Sequence, residues 1–247
     1  MSIIHQRRGA TRSRDAEDAE VIKGSMMAEC DFEKERLHEM FRYERQLREQ
    51  GSLFIAGIDE AGRGPLAGPV VAAVCILPEN LLLDGLNDSK QLFESERNAL
   101  YDQITTLSDV FWAIGLASAE EIDQINILRA SFLAMYRALL ALKQKPDVIL
   151  IDGHLTPSFG IPTVPLIKGD ARSASIAAAS ILAKVTRDRI MKELDPLYQH
   201  YGFAMHKGYA TPEHLKAIEQ FGPCAIHRKS FDPIKSMCKV SIQEELF

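Results

Sequence analysis

An α/β fold, a mixed β-sheet flanked by helices with an N-terminal accessory helix and a C-terminal helical segment, is what this 247-residue chain predicts. Three observations carry that expectation. Apolar runs too short for helices come first in close succession, and later ones alternate with helical sequence. The chain is long enough for one large domain with an appendage. No apolar run approaches the roughly 20 residues of a membrane span.

Residues 1–26 mix Arg, Asp, Glu, Gly and Ser with almost no apolar periodicity, so a disordered leader is expected over 1–30. The stretch 31–50 consists of good helix formers, with Phe32, Leu37, Met40, Phe41 and Leu47 as its apolar positions, Leu37 lying three and four residues before Met40 and Phe41, and Gly51 stops it. It predicts one accessory helix. Strands follow at Leu53–Ile58 and Val70–Leu77, both reading as covered on two faces. A helix is expected from Glu94 to Thr106 and a strand from Val110 to Leu116. Ser118 with Glu121 forms a capping box that opens helical sequence running to about Lys143. Val148–Ile151 is a short buried strand ending in Asp152-Gly153, and residues 162–167 suit another. Ser173 to Glu193 is the longest helical pattern, and Thr211-Pro212 caps a last helix ending near Gly222-Pro223.

With 46% apolar and 26% charged residues the composition is that of a globular domain, which excludes fibrous and wholly disordered classes. The four cysteines lie far apart, and the charged N-terminus lacks an apolar signal core, so a reduced cytoplasmic protein is expected. The net charge of −5 hides an uneven distribution. Residues 161–240 hold 12 Lys and Arg against 7 Asp and Glu, a net of +5, which leaves −10 elsewhere. A basic face on an acidic chain suits a phosphate-bearing ligand; scattered charge accounts for the numbers equally well.

Two expected strands end in carboxylates, Asp59-Glu60 and Asp152, and strand ends of open α/β sheets are where ligands gather. Like charges placed together take up protons or need a cation between them. With no His/Cys cluster of zinc spacing, Mg²⁺ or Mn²⁺ is the expected ion. Asp59 and Glu60 are adjacent, so a regular strand would point them to opposite faces, whereas a turn would not; Asp59 is the safer ligand. Gly62-Arg63-Gly64 follows, a loop whose glycines permit close backbone approach with a guanidinium between them. It is neither a P-loop nor a dinucleotide fingerprint. Asp170 precedes a helix on which Ser173, Ala177, Ser180, Lys184 and Arg187 form one stripe, small at its start and basic at its end. That stripe reads as an Ala-rich core helix or as a phosphate-facing one. His154, His200, His206, His214 and His227 lack i, i+4 pairing and neighbouring Cys, and read as surface or packing residues, with His206 the first exception to consider.

At this point the residues resemble a family. Gly57-Ile58-Asp59-Glu60-Ala61-Gly62-Arg63-Gly64-Pro65, Asp88-Ser89-Lys90, Asp152-Gly153, Lys168-Gly169-Asp170, the run from Ala178 to Asp188 and His206-Lys207-Gly208-Tyr209 are similar to bacterial ribonuclease HII, over about residues 51–235. The resemblance implies an RNase H-like fold and an endonuclease that cuts the RNA strand of RNA–DNA hybrids. It also implies incision 5′ of single ribonucleotides in duplex DNA, as in ribonucleotide excision repair, leaving 5′-phosphate and 3′-hydroxyl ends. The catalytic, metal-binding carboxylates are then Asp59, Glu60, Asp152 and Asp170, with two divalent ions, Mg²⁺ or Mn²⁺, activating water and stabilising the leaving oxygen. Gly62, Arg63 and Gly64 meet the 2′-hydroxyl and neighbouring phosphate, Tyr209 stacks at the RNA-to-DNA junction, and Lys90, Lys184 and Arg187 are expected phosphate contacts. A monomer is expected, and the C-terminal Glu-Glu-Leu-Phe is a weak candidate for docking a sliding clamp.

Ribonuclease HIII shares this core but carries a longer N-terminal domain than the roughly 50 residues available here. A silent nucleic-acid-binding module would be expected to have lost an acidic position. A two-carboxylate glycosidase leaves the glycine-arginine loop unexplained.

Overall fold

The computed structural model describes residues 31–79 and 81–238. The leader expected over 1–30 and the C-terminal Glu-Glu-Leu-Phe fall outside that range. A helical segment over 234–238 crosses residue 235, where the catalytic domain was expected to end.

Five strands form one mixed sheet: β1 (Ile55–Ala61), β2 (Val70–Ile76), β3 (Phe111–Ala117), β4 (Val148–Asp152) and β5 (Thr163–Leu166). Their order is β3-β2-β1-β4-β5. The first three strands pair antiparallel, while β1 with β4 and β4 with β5 are parallel. β1 is therefore central, and it is the first of the acidic strands.

Besides the segment at 234–238, eight helices accompany the sheet among the described residues: α1 (31–40), α2 (Arg42–Glu49), α3 (Glu94–Thr106), α4 (Ala119–Ile125), α5 (Ile127–Ala141), α6 (Ala174–Leu194), α7 (Phe203–His206) and α8 (Pro212–Phe221). α5 covers one face of the sheet and α6 the other, with α3 packed on α6. The two faces are separate apolar layers. Ala56, Ile58, Ala72 and Val74 meet Ala130, Ala134 and Ala138 of α5, whereas Ala73 and Cys75 meet Ala177, Ala178 and Ile181 beside α6. None of the described helices is long and apolar enough to cross a membrane, and Cys75, Cys224 and Cys238 are free thiols.

Three expected elements take a different form. The helix expected over 31–50 is interrupted at Phe41, whose N–H is shared between the carbonyls of Leu37 and His38 at 3.2 Å each. Leu37, Met40 and Phe41 bury against the α6 side, and α2 carries fully buried Glu44 to the N-terminus of α6. There its carboxylate accepts from the Ser173 hydroxyl at 2.6 Å and the Ser175 N–H at 2.9 Å, favourable for an anion at a helix N-terminus. The single helix expected from Ser118 to Lys143 is broken at Asn126, where φ is +67° and the side chain accepts from Arg129 N–H to start α5. The first strand starts at Ile55 rather than Leu53 and continues to Ala61, so Asp59 and Glu60 lie within it.

Close packing of α6 on β1 depends on Gly57. A Cβ there would lie 2.1 Å from the Ser175 carbonyl carbon, a backbone atom that cannot swing away. Gly57→Ala is expected to lower stability by about 3 kcal/mol, the upper end for overpacking, read as a shift in urea midpoint. A change within about 0.5 kcal/mol would mean α6 can lift from the strand at little cost.

Candidate active site

The sheet alternation sorts the acidic residues. Asp59 sits opposite Ala73, on the α6 face, and Glu60 opposite Ala72, on the α5 face. Asp152 pairs in register with Leu166, which packs against Ile176 of α6, so Asp59 and Asp152 share a face on adjacent strands. Asp170 lies in the 3-10 turn Gly169–Ala171 immediately before α6, and the Gly169 N–H donates to Asp152 Oδ1 at 2.7 Å. That contact brings the third aspartate to the same end of the sheet. Glu60 lies round the edge, where Arg63 Nη1 donates to its Oε1 at 3.0 Å.

Each carboxylate has its own partner on the chain. Asp59 Oδ1 accepts from Glu60 N–H at 2.8 Å, and Asp170 Oδ2 accepts from Lys90 Nζ at 3.0 Å. Lys90 reaches it from the Asp88-Ser89-Lys90 turn, which docks on α6 through Ser89 N–H donating to Ser180 Oγ at 3.3 Å. Burial opposes the Lys90 charge, but the hydrogen bond to Asp170 and the charges of Asp170, Asp88 and Asp59 outweigh it and hold the ammonium above its ordinary pKa. On the acidic side, burial raises Asp59 well above the carboxylate range, and the charges of Glu60 and Asp152 push it further. Burial also raises Glu60 against the pull of Arg63, and raises Asp152 against the Gly169 N–H. Negative charge is thus in excess here.

The donor set fits a hard divalent cation: carboxylate oxygens only, buried, and incompletely neutralised. Among the described residues no three acidic, His or Cys side chains converge as ready ligands of one ion. Lys90 and Arg63 hold Asp170 and Glu60 instead, so a cation bound there would compete with these ion pairs.

The 62–69 loop is built from behind. Gly62 has φ +94°, a conformation side chains resist, and a Cβ on it would lie 2.0 Å from Arg187 Nε. Arg228, fully buried, donates to the carbonyls of Gly62 at 2.6 Å, Arg63 at 2.9 Å and Gly68 at 2.9 and 3.1 Å. The carbonyls thus turn inward. The N–H groups of Arg63 and Gly64 have no protein acceptor among the described residues, and both residues are exposed. Tyr209, 44% exposed, lies alongside, with its Cε1 3.9 Å from where a Gly64 Cβ would be.

Arg187 does not stand where a phosphate contact is needed. It is 1% exposed, and its guanidinium donates to the carbonyls of Pro69 at 2.9 Å, Lys207 at 3.0 Å and Ala67 at 3.1 Å. Its carbon lies 5.9 Å from the Tyr209 ring centre, so it supports the loop and the tyrosine together. Lys184 donates to Asp188 at 2.7 Å, one turn along α6, and makes no contact with the carboxylate group. The stripe from Ser173 to Arg187 is accordingly buried helix, apart from half-buried Lys184. Arg228 was absent from the expected site because nothing in its local sequence marks it as a loop support.

In the folded chain the raised Asp59, Glu60 and Asp152 bind more protons than in the unfolded chain once the pH exceeds about 4, so their burial, reinforced by mutual repulsion, makes stability fall as pH rises from there. Asp59→Asn is therefore expected to raise the melting temperature of the metal-free chain at pH 7. Each kcal/mol of relieved repulsion is worth about 2–4 °C, and the gain should shrink toward pH 4. An unchanged or lower melting temperature at pH 7 would show that Lys90 already neutralises the group.

Comparison with known proteins places this geometry. The ribonuclease HII family model matches residues 56–234. A ribonuclease HII of Desulfitobacterium hafniense is 55% identical over 208 residues, 84% of this chain and 80% of that protein. One from Geobacillus kaustophilus is 53% identical over 210 residues, 85% of this chain and 80% of its own length. Among solved structures, the ribonuclease H2 of Pyrococcus horikoshii superposes with TM-score 0.63 at 29% identity, covering 76% of this chain and 98% of that one. The ribonuclease HII of Archaeoglobus fulgidus, solved in complex with PCNA, gives TM-score 0.61 at 25% identity over 73% and 96%. With the family model spanning residues 56–234 and relatives 53–55% identical over most of its length, the chain belongs to the ribonuclease HII family, type 2 ribonuclease H endonucleases that cleave the RNA strand of RNA–DNA hybrids with divalent metal.

Proposed function

We propose that this chain incises duplex DNA immediately 5′ of a single embedded ribonucleotide, as well as cutting long hybrids, leaving 5′-phosphate and 3′-hydroxyl ends. The observation that carries the reading is the meeting of an outward-facing glycine-arginine loop with Tyr209 beside the carboxylate group. Free N–H groups at Arg63 and Gly64 can bond a 2′-hydroxyl, which is donor and acceptor at once and present only on RNA, without reading a base. The Tyr209 ring offers a flat partner for the sugar that follows, where the strand returns to DNA. Cleavage independent of sequence follows from contacts of this kind.

Asp59, Glu60, Asp152 and Asp170 would hold the divalent ions, Mg²⁺ or Mn²⁺. When bound, a pair of such ions supplies a deprotonated water and charge stabilisation for the leaving 3′ oxygen. The chain's own part is positioning. Burial and mutual repulsion keep Asp59, Glu60 and Asp152 ready to exchange protons for cations, and Arg63 and Lys90, released from their carboxylates, become cations free to meet substrate phosphates. Lys184, half-buried and paired with Asp188, remains a candidate phosphate contact. The site of action is the reduced cytoplasm, in the removal of ribonucleotides from DNA, by a monomer. A sliding clamp is a further partner to test, supported by the Archaeoglobus fulgidus relative solved with PCNA.

Incision of a labelled duplex carrying one ribonucleotide, beside an all-DNA control and with Mg²⁺, Mn²⁺ or EDTA, tests the reading directly. Cutting that needs metal and the ribonucleotide is expected; binding with no cutting would favour a silent module. Asp59→Asn should lower the rate at least a thousandfold, the several kcal/mol expected of a lost metal ligand, while hybrid binding survives. Tyr209→Ala should weaken incision at the lone ribonucleotide about tenfold and hybrid cleavage much less. Equal losses on the two substrates would remove Tyr209 from junction sensing.

A further inference from the structure

The histidines read from the sequence as scattered surface or packing residues include a connected buried group. His214 and His227, 0% and 1% exposed, meet Nε2 to Nε2 at 3.0 Å, and His206 stacks on His214 with ring centres 4.3 Å apart. The flanking partners determine where every proton sits. Cys224 N–H, which can only donate, lies 2.9 Å from His227 Nδ1, so that nitrogen accepts and His227 carries its proton on Nε2. Tyr209 carbonyl oxygen, which can only accept, lies 2.8 Å from His214 Nδ1, so that nitrogen donates and His214 Nε2 is bare. The His227 Nε2–H then points into the lone pair of His214 Nε2. Gly208 N–H similarly donates to His206 Nδ1 at 3.1 Å, leaving His206 Nε2–H for the Tyr201 carbonyl at 2.6 Å.

Two of these rings thus grip successive residues, Gly208 and Tyr209, from one side. A protonated His214 would present N–H to N–H at His227 and break the chain of bonds. Burial agrees with the uncharged state: it lowers both His214 and His227 to about 4. Among the described residues no carboxylate bonds to any of the three rings. The other groups against them are the edges and faces of Tyr201 and Phe203 and the Cys224 sulfur.

We propose that His227 and His214 form a tautomer-locked relay of hydrogen bonds that fixes the Tyr209 backbone and so sets the preference for a ribonucleotide bordered by DNA. His214 and His227 are positioning residues, acting through Tyr209 and never touching the nucleic acid. The relay rests on the reading of Tyr209 given above and adds what holds it. A tyrosine on a loose turn would still stack on a sugar, but the geometry that separates a junction from continuous RNA would blur.

Nitrogen-15 NMR of the histidine-labelled full chain reads the tautomers without any substitution. Opposite tautomers are expected, Nδ1–H on His214 and Nε2–H on His227; the same tautomer on both overturns the relay. His214→Phe keeps an aromatic ring but removes both hydrogen bonds, whereas His214→Asn can retain a donor near the Nδ1 position. His214→Phe should lower the ratio of single-ribonucleotide incision to long-hybrid cleavage about tenfold, and His214→Asn should recover most of it. In a Tyr209→Ala background His214→Phe should leave that ratio unchanged. A proportional loss on both substrates, or a further loss of ratio without Tyr209, overturns the positioning role. Should Tyr209→Ala itself affect both substrates alike, the junction reading fails, while the tautomers still decide whether the relay exists.

Discussion

Two buried guanidinium groups hold the 62–69 loop in shape. Arg187 and Arg228 lie behind residues 62–69, almost without exposure, and a charge taken out of water survives only if its donors are satisfied. Among the described residues no carboxylate bonds to them. The acceptors are backbone carbonyls: Gly62, Arg63 and Gly68 for Arg228, and Ala67, Pro69 and Lys207 for Arg187. Peptide oxygens that would otherwise need partners of their own are turned inward, which leaves N–H groups on the outer side. Three distant stretches are linked here: Arg187 joins the loop to Lys207, Leu66 N–H donates to the Gly208 carbonyl, and Arg228 N–H donates to the Leu66 carbonyl. Both arginines are held below their ordinary pKa, chiefly by burial, Arg228 to about 9, which keeps Arg228 charged at neutral pH. Positive charge behind the loop favours a phosphate in front of it.

Opposite that positive support lies the acidic sheet end. Asp59, Asp152 and Asp170 share the α6 face, and Glu60 curls round the edge to Arg63. Hydrophobic packing on both sides of β1 prevents the strand from relaxing away from this repulsion, with Gly57 and Ala56 enclosed by helices. Packing therefore maintains an electrostatic arrangement that would not persist by itself, a common condition of sites that handle cations. Lys90 and Arg63 neutralise part of it, and each is tied to a carboxylate that a cation would claim.

Local sequence carried much of this. The capping box at Ser118, the Thr211-Pro212 helix start and the span of α6, to within a residue at each end, follow from side chains a few residues apart, and the structure has them where they were expected. The breaks at Phe41 and Asn126 were not legible, because both serve distant contacts: Glu44 reaching Ser173 and Ser175, and α5 turning onto β3. The basic end of α6 misled for a related reason. At helical spacing Arg187 looks like an exposed phosphate ligand, and only the loop folded over it shows that its donors go to carbonyls.

Sequence by itself determined the class of fold and the kind of chemistry. Apolar runs set the strands, turn and cap residues set the helix ends, and carboxylates next to a glycine-arginine loop specified oxygen ligands beside a flexible-backbone contact. Tertiary structure decided which of those groups face each other. The pairing of β1 with β4 placed Asp59 next to Asp152 across 93 residues of chain, and the return of 206–228 over the loop joined Arg228, His214 and Tyr209 to it. The physical reason is range. Caps and periodicity act over a few residues, whereas burial of charge and the sharing of protons between rings depend on neighbours that only the closed fold supplies.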